Sequence, residues 1–377
     1  MEDVTFDEAP ILVFWETTLA CQLACKHCRA EAQEGPAPGE LTTEEGVKLL
    51  RQLSGFGPRP PVLVMTGGDV LSRPDLFELV AGAKAAGLPV ALAPSVTPRL
   101  TEDVLERLKE LGVSSISISL DGACGPTHDR ARGVDGHFGA TVEALRLVSA
   151  LGFKLQVNTA VMKANVGELA AVAALVKDVG ATSWEVFFLV KVGRGREEQE
   201  LAPDENEDVA HVLFEASCYG FAVRTVEGPW CRRVAAWRKA ALEGGGCDPA
   251  AAFSLGDLYR SQSGLLSAAL GAPHTAPSMT SAGTRDGKGI FFIAHDGWAY
   301  PAGFLPLRLG NVRHEDPVAI YRDHPLLRAV RAAQFSGRCG RCEHKQTCGG
   351  SRARAFATAG DPLAEDPGCA YVPAGAT

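Results

Sequence analysis

The sequence predicts an α/β fold, a partial (β/α)6 TIM-like barrel followed by a small cysteine-rich C-terminal extension. Three observations carry this expectation. Short apolar runs alternate with amphipathic stretches at ~30–35 residue spacing, the pattern of βα units around a parallel sheet. The alternation stops near residue 220, short of the eight units of a closed barrel. The last forty residues are rich in Cys, Gly and Arg with little apolar periodicity, and a tail of that kind needs a metal to hold it.

Each element has its own signal. Residues 11–15 form an apolar first strand, and Thr42-Thr43-Glu44-Glu45 starts a helix whose Val47, Leu50 and Leu53 share one face. Residues 62–65 read as the second strand, with helix 74–86 ending at Gly87, and 89–93 as the third, with helix 102–111 closed by Gly112. Residues 115–120 alternate Ser with Ile or Leu, which is strand periodicity. A helix over 140–151, strand 154–161, helix 167–179, strand 184–190 and helix 204–218 complete six units. Beyond them 228–245 reads as helix and 261–289 as loop. Residues 290–302 read as a hairpin turned by His295-Asp296-Gly297, and 316–333 as one helix. The expected division is a barrel over 1–225, a connector over 226–289 and an extension over 290–377.

Composition narrows the function. With 37 basic and 45 acidic residues the net charge is −8, so there is no excess to neutralise a nucleic acid. No apolar run is long enough to span a membrane, and the opening MEDVTFDEAP lacks a secretory signal. A cytoplasmic, reduced protein is expected, so its 11 cysteines need a use other than disulfides. After the first strand comes Cys21-Gln-Leu-Ala-Cys25-Lys-His27-Cys28. Three thiolates on one tight loop suit three irons of a [4Fe–4S] cluster with the fourth iron open, whereas a zinc site would want a fourth ligand nearby.

This triplet resembles the cluster loop of radical S-adenosylmethionine (SAM) enzymes, with His27 as the aromatic residue before the third cysteine. Thr66-Gly67-Gly68-Asp69 at the end of the second strand resembles that family's Gly-Gly-Glu-Pro segment, which receives the methionyl ammonium of SAM. Glycines there allow close backbone approach, and a carboxylate adds charge. The segment Ser119-Leu-Asp121-Gly, with His128-Asp129 and Arg132-Gly133 beyond it, is similar to the branch with extra C-terminal clusters. The resemblance implies that Ser119 and Arg132 hold the methionyl carboxylate, that Ser95 and Asn158 meet the ribose and methionine, and that Leu189 meets adenine. All stand at C-terminal ends of strands, the face where α/β barrels carry their chemistry.

The C-terminal set Cys339, Cys342, Cys348 and Cys369 offers four thiolates, which satisfy either Zn²⁺ or a [4Fe–4S] cluster. The surrounding text resembles the SPASM extension of radical SAM enzymes, which implies an auxiliary cluster. Two departures limit the count: Ala302 stands where a hairpin cysteine is expected, and Ser351-Arg352 where a further cysteine is expected. Two clusters in total are therefore expected. Cys124, Cys218, Cys231 and Cys247 lack ligand spacing and read as structural, with Cys124 singled out as a hydrogen or proton donor.

The family resemblance implies reductive cleavage of SAM to a 5′-deoxyadenosyl radical that abstracts hydrogen from a small-molecule or peptide substrate. It also implies a low-potential electron donor of the flavodoxin or ferredoxin type. The Lys-His-Cys-Arg-Ala loop and the tail look most like the haem-biosynthesis branch, where porphyrin side chains are removed or oxidatively decarboxylated. A peptide-modifying maturase, a natural-product enzyme and a non-catalytic iron–sulfur or zinc protein are the alternatives. Arg232, Arg233, Arg238, Arg352 and Arg354 are candidates to meet propionates.

Overall fold

In the computed structural model, which describes residues 6–279 and 283–374, seven parallel strands follow one another in sequence order. They are β1 (Leu12–Glu16), β2 (Val62–Thr66), β3 (Val90–Leu92), β4 (Ser115–Ser119), β5 (Lys154–Val161), β6 (Ser183–Phe188) and β7 (Ala222–Val226). The crossovers carry α1 (Thr43–Leu53), α2 (Leu76–Ala85), α3 (Glu102–Glu110), α4 (Gly125–Arg132), α5 (His137–Ala150), α6 (Leu169–Asp178) and α7 (Pro203–Ala216). The six expected units are present, and one more strand, β7, follows them. Only Val223 of β7 is buried, so the strand lacks the apolar run that would mark it in sequence.

The element boundaries follow local chemistry. Thr42 caps α1 by accepting from the Glu45 N–H at 3.2 Å, while Glu45 accepts from the Thr42 N–H at 2.9 Å. Gly87, Gly112 and Gly152 follow α2, α3 and α5 with φ of 78°, 85° and 75°, left-handed values that end a helix without strain.

The sheet continues past β1 on its other side. The chain runs through α8 (Cys231–Glu243), α9 (Pro249–Ala252) and α10 (Asp257–Leu270) into β8 (Arg285–Asp286), β9 (Gly289–Ile293), β10 (Trp298–Tyr300) and β11 (Gly310–Asn311). β9 lies parallel to β1, with Leu12 opposite Ile290 and Trp15 opposite Ile293, and β10 returns antiparallel as the expected hairpin. The sheet order is β11-β10-β9-β1-β2-β3-β4-β5-β6-β7, an open barrel. Alternate strand residues such as Val13, Trp15, Leu63, Met65, Ile116, Ile118, Val157 and Trp184 are fully buried in the core shared with the helices. The other set, including Phe14, Val64, Ser117, Asn158 and Glu185, is half-buried and faces the concave side.

Two expectations are corrected. The first part of the loop expected over 261–289 belongs to α10 (Asp257–Leu270), because Tyr259, Gln262 and Leu266 make a buried stripe. Gln262 accepts from the Ala170 N–H at 2.9 Å and donates to the Gly167 carbonyl at 2.8 Å, capping the start of α6 with a polar residue that no apolar pattern reveals. The single helix expected over 316–333 is two, α11 (Pro317–Asp323) and α12 (Pro325–Arg331). Pro325 lacks the N–H to continue the first, and His324 Nδ1 accepts from the Leu326 N–H to cap the second.

The tail adds α13 (Gly337–Arg341) and α14 (Arg352–Ala359). Arginine–carbonyl bonds hold it in place of an apolar core. Arg285 donates to the Lys345, Gln346 and Cys348 carbonyls, and Arg352, fully buried, donates to those of Gly350, Pro362 and Ala364. Replacing Arg352 by Ala strands buried carbonyls and is expected to lower the unfolding free energy by about 2–4 kcal/mol in a urea titration. Trypsin should then cut within 337–374 before it cuts the barrel; an unchanged midpoint and cleavage order would show that these bonds do not hold the tail.

Candidate active site

The loop after β1 is fixed before any side chain reaches the cavity. Cys21 N–H donates to the Gln33 carbonyl at 2.7 Å and Gln33 N–H to the Leu19 carbonyl at 3.0 Å, closing the loop at its base. Arg194 donates to the carbonyls of Cys25 at 2.8 Å and Ala32 at 2.9 Å, and its own N–H meets the Cys28 carbonyl at 3.0 Å. The Gly67-Gly68 pair packs against the same loop. The Gly68 and Asp69 N–H groups donate to the Thr18 and Ala20 carbonyls, each at 2.7 Å. A Cβ on Gly67 would fall 2.5 Å from the Thr18 oxygen, and one on Gly68 2.5 Å from the Ala20 oxygen. The glycines are therefore required by contact with the cysteine loop, where the sequence suggested approach to a ligand.

A cavity of about 240 Å³ opens at the C-terminal ends of β1–β6. It gathers Cys21, Cys25 and Cys28 with His27, Gly67, Gly68, Ser95, Ser119, Arg132, Asn158 and Leu189. Ser119 and Asn158 are register partners on β4 and β5. The thiols already have donors: the Leu23 N–H lies 3.4 Å from Cys21 Sγ, and Arg132 Nη1 lies 3.6 Å from Cys25 Sγ.

Asp69 differs from expectation. It is fully buried and does not line the cavity; it accepts from Leu71 N–H at 3.1 Å, Ser95 N–H at 3.2 Å and Thr97 Oγ1 at 2.9 Å. Its carboxylate ties the end of β2 to the end of β3, and burial pushes its pKa up despite those donors. The Leu189 backbone is likewise engaged: its N–H donates to the Val161 carbonyl and its carbonyl accepts from Arg354 Nη2 at 2.9 Å.

Asp121, which the sequence offered only as part of a motif, is central to the site. Its Oδ2 lies 2.5 Å from Arg132 Nη2 and 3.4 Å from His27 Nε2, and its Oδ1 accepts from the Ala160 N–H at 2.7 Å. Burial pushes this carboxyl up, but Arg132, His27 and His128 together hold it below the usual carboxylate range. Burial lowers the pKa of His27, whose Nδ1 is buried without a partner. Behind this group runs a directed line of neutral imidazoles. The Asp121 N–H donates to His128 Nδ1 at 3.1 Å, His128 Nε2 meets His137 Nδ1 at 2.9 Å, and His137 Nε2 meets the Val96 carbonyl at 2.9 Å. Since His128 Nδ1 accepts, its proton sits on Nε2, and the carbonyl fixes the His137 proton the same way. Burial, with Arg132 nearby, holds His128 down at about 4.

Other cavity residues escaped the sequence reading. Arg29 follows the third cysteine and Arg194 sits between two glycines, positions with no charge pattern to mark them. Phe187 and Phe188 end β6, while Phe304 comes from the extension, more than a hundred residues on. Conversely, the arginines expected at propionates are engaged elsewhere. Arg232 holds Thr284 and Thr347, Arg233 pairs with Glu207, Arg238 with Glu215, Arg352 with tail carbonyls, and Arg354 with the Glu227 and Leu189 carbonyls. None lines the main cavity. Cys124 is exposed beside Glu168, outside that cavity, which removes the basis for a donor role.

Cys339, Cys342, Cys348 and Cys369 line a second, smaller cavity of about 30 Å³ with Arg233, Arg338 and Tyr371. The Asp366 N–H reaches Cys339 Sγ at 3.3 Å and the His344 N–H reaches Cys342 Sγ at 3.4 Å. Among the described residues no three ligating side chains converge as around one metal ion; each cysteine set instead surrounds a space. The two positions lacking cysteines are filled by protein. Ala302 is buried, and Ser351 donates to the Glu227 carboxylate while its N–H meets Asp366 at 2.7 Å.

Comparison with known proteins agrees with this geometry. Residues 15–176 match the radical SAM superfamily model. The AdoMet-dependent heme synthase of Methanosarcina barkeri is 34% identical over 372 residues, covering 98% of this chain and 99% of that protein. The Fe-coproporphyrin III synthase of the same organism is 29% identical over 389 residues, covering 96% and 88%. Among solved structures, Streptococcus suis SuiB bound to S-adenosylmethionine superposes with a TM-score of 0.67 at 14% identity, covering 97% of this chain and 78% of that one, a likeness of fold. The chain belongs to the radical SAM superfamily, and its full-length similarity groups it with the superfamily's haem-biosynthesis branch.

Proposed function

We propose that this enzyme holds a [4Fe–4S] cluster on Cys21, Cys25 and Cys28, cleaves SAM there, and removes hydrogen from propionate side chains of Fe-coproporphyrin III to form haem. The observation that carries the reading is a single cavity in which the three cysteines, every expected SAM-contact residue except Asp69, and an aromatic wall meet. Donors at Cys21 and Cys25 suit sulfurs that carry negative charge as cluster ligands. When bound, the cluster and SAM supply a 5′-deoxyadenosyl radical able to take hydrogen from an unactivated carbon.

The chain's own residues orient and shield. Ser119 and the remaining donors of Arg132 meet the methionyl carboxylate, and the carbonyls around Gly67 and Gly68 meet its ammonium. Ser95 and Asn158 flank the ribose, while His27 and Leu189 flank the adenine. Asp69 acts through Ser95, whose N–H it holds. Phe187, Phe188 and Phe304 offer apolar surface to a macrocycle and exclude water from it.

Haem differs from its four-propionate precursor in having vinyl groups at two of those positions. At each, the ring-side methylene loses hydrogen, the bond to the carboxylate breaks, CO2 departs and one electron leaves as the double bond forms. That electron balances the one taken up in SAM cleavage, and a low-potential carrier of the flavodoxin or ferredoxin type starts the cycle. Cys339, Cys342, Cys348 and Cys369 hold a second [4Fe–4S] cluster, supported by four thiols around one space with N–H donors on two of them. With Ala302 and Ser351-Arg352 in place of further ligands, the total is two.

Anaerobically reconstituted protein is therefore expected to contain about eight irons per chain. About twelve, or about four with one zinc, would overturn the cluster assignment. Cys25→Ala should abolish 5′-deoxyadenosine formation, whereas Cys342→Ala should retain part of it. Incubation with Fe-coproporphyrin III, SAM and dithionite should release one CO2 and one 5′-deoxyadenosine for each propionate converted. Steady 5′-deoxyadenosine formation with no CO2 from this compound would sink the substrate assignment.

A further inference from the structure

Three guanidinium groups line the main cavity, those of Arg29, Arg132 and Arg194. Arg132 is engaged by Asp121 and Cys25 and Arg194 by the Cys25 and Ala32 carbonyls, and each keeps one buried donor without a partner, Arg132 Nε and Arg194 Nη2. Arg29 is different. Its Nη2 pairs with Glu16 Oε2 at 2.9 Å, while its Nε and Nη1 have no hydrogen-bond acceptor among the described residues. These free donors are not sealed off, because the side chain keeps 20% of its surface open.

The group is also held in place. Its Cζ lies 4.4 Å from the Phe292 ring centroid, a cation–π contact that fixes the guanidinium plane. A Cβ on Gly303 would come within 3.0 Å of Arg29 Nε and 3.2 Å of Phe292, so a larger residue there would crowd the guanidinium. Glu16 is 3% exposed and is shared: its other oxygen, Oε1, lies 3.0 Å from His295 Nδ1. Burial lowers the His295 pKa, but Glu16 together with Asp296 and Glu40 outweighs it, so the net shift is upward. One buried carboxylate thus contacts two basic groups, and Arg29 keeps donors beyond its ion pair with Glu16.

We infer that Arg29 is the substrate-positioning residue of this cavity, gripping one carboxylate of the substrate through its free Nε and Nη1 edge. A guanidinium edge of two N–H donors matches a carboxylate bidentately. In the tetrapyrrole reading, on which this inference rests, that carboxylate is a propionate that is retained, so that gripping it sets which other propionate lies at the reacting end. Arg29 touches no reacting atom and acts by placement.

The test uses the reconstituted holoenzyme with SAM bound and two probes, Fe-coproporphyrin III and its tetramethyl ester, which keeps the macrocycle but has no carboxylate. Binding is followed by the shift of the porphyrin absorption band. The wild type should prefer the acid over the ester, and Arg29→Gln should weaken acid binding about tenfold or more while leaving ester binding nearly as it was. Arg29→Lys should recover part of the preference, since it restores the charge without the fork. Gly303→Ala, which keeps the charge and crowds Nε, should move the preference in the same direction by a smaller factor. A variant that merely loosens the cavity weakens both probes alike, and that outcome overturns the inference. If the wild type binds the acid and Arg29→Gln binds it equally well, the inference fails and the tetrapyrrole reading stands. If the wild type binds neither probe, the tetrapyrrole reading itself fails and carries this inference with it.

Discussion

The site depends on one buried carboxylate, Asp121, and on the requirement that such a charge be matched on every side. Three separate stretches of chain converge on this residue. Ala160 on β5 donates to its Oδ1, Arg132 at the end of α4 pairs with its Oδ2, His27 approaches from the cysteine loop, and Asn165 donates to its backbone carbonyl at 2.9 Å. Each partner is itself committed: Arg132 reaches Cys25 Sγ, and His128 accepts from the Asp121 N–H. Taking Asp121 out of water costs several kcal/mol, and only this arrangement offsets that cost. The carboxylate thereby converts an irregular loop of cysteines, which no helix or strand would hold, into a feature registered against β4 and β5.

Arginines do the corresponding work elsewhere, and the structure separates two uses of the same side chain. Arg194, Arg285, Arg352 and Arg354 bind backbone carbonyls of segments too irregular to satisfy their own. Five planar donors suit this task, since one guanidinium can serve two or three carbonyls at once. Arg29 belongs to the other class, paired by one nitrogen and open at the rest. Residue type alone cannot tell these apart. The number of acceptors around each group can.

This explains what was legible in the sequence. Strand order, the triplet Cys21, Cys25, Cys28 and the strand residues Ser119 and Asn158 could be read because periodicity and short motifs encode them locally. Gly67 and Gly68 were found for a ligand-facing reason, while their space is taken up by Thr18 and Ala20. Asp69 was assigned by motif to the wrong surface of its turn, because sequence gives no direction to a side chain with three donors behind it. Glu16, Arg29, His295 and Phe292 form one cluster only in three dimensions, since His295 stands 279 positions from Glu16. The α10 helix was missed because its buried stripe runs through Gln262, whose value lies in two hydrogen bonds rather than in apolarity.

The pairing of β9 with β1 gives that cluster its meaning. Glu16 is the last residue of β1, directly beyond the Trp15–Ile293 pair, so adding β9 to the sheet edge brings the His295 turn to the rim of the barrel. The same edge carries Phe292 under Arg29, and the following loop supplies Phe304, which lies 6.1 Å from Phe187 across the cavity mouth. The extension is thus more than a holder for its own cysteines. It supplies Phe304 to the cavity lining and Phe292, the ring that orients Arg29. An appendage attached at any other edge would leave the barrel's polar concave face open along β1, with Glu16 and Arg29 neutralising each other in water. Joined here, it dries that face on one side and leaves two donors of the Arg29 guanidinium open beside it, the condition under which an ion pair with a ligand carries specificity.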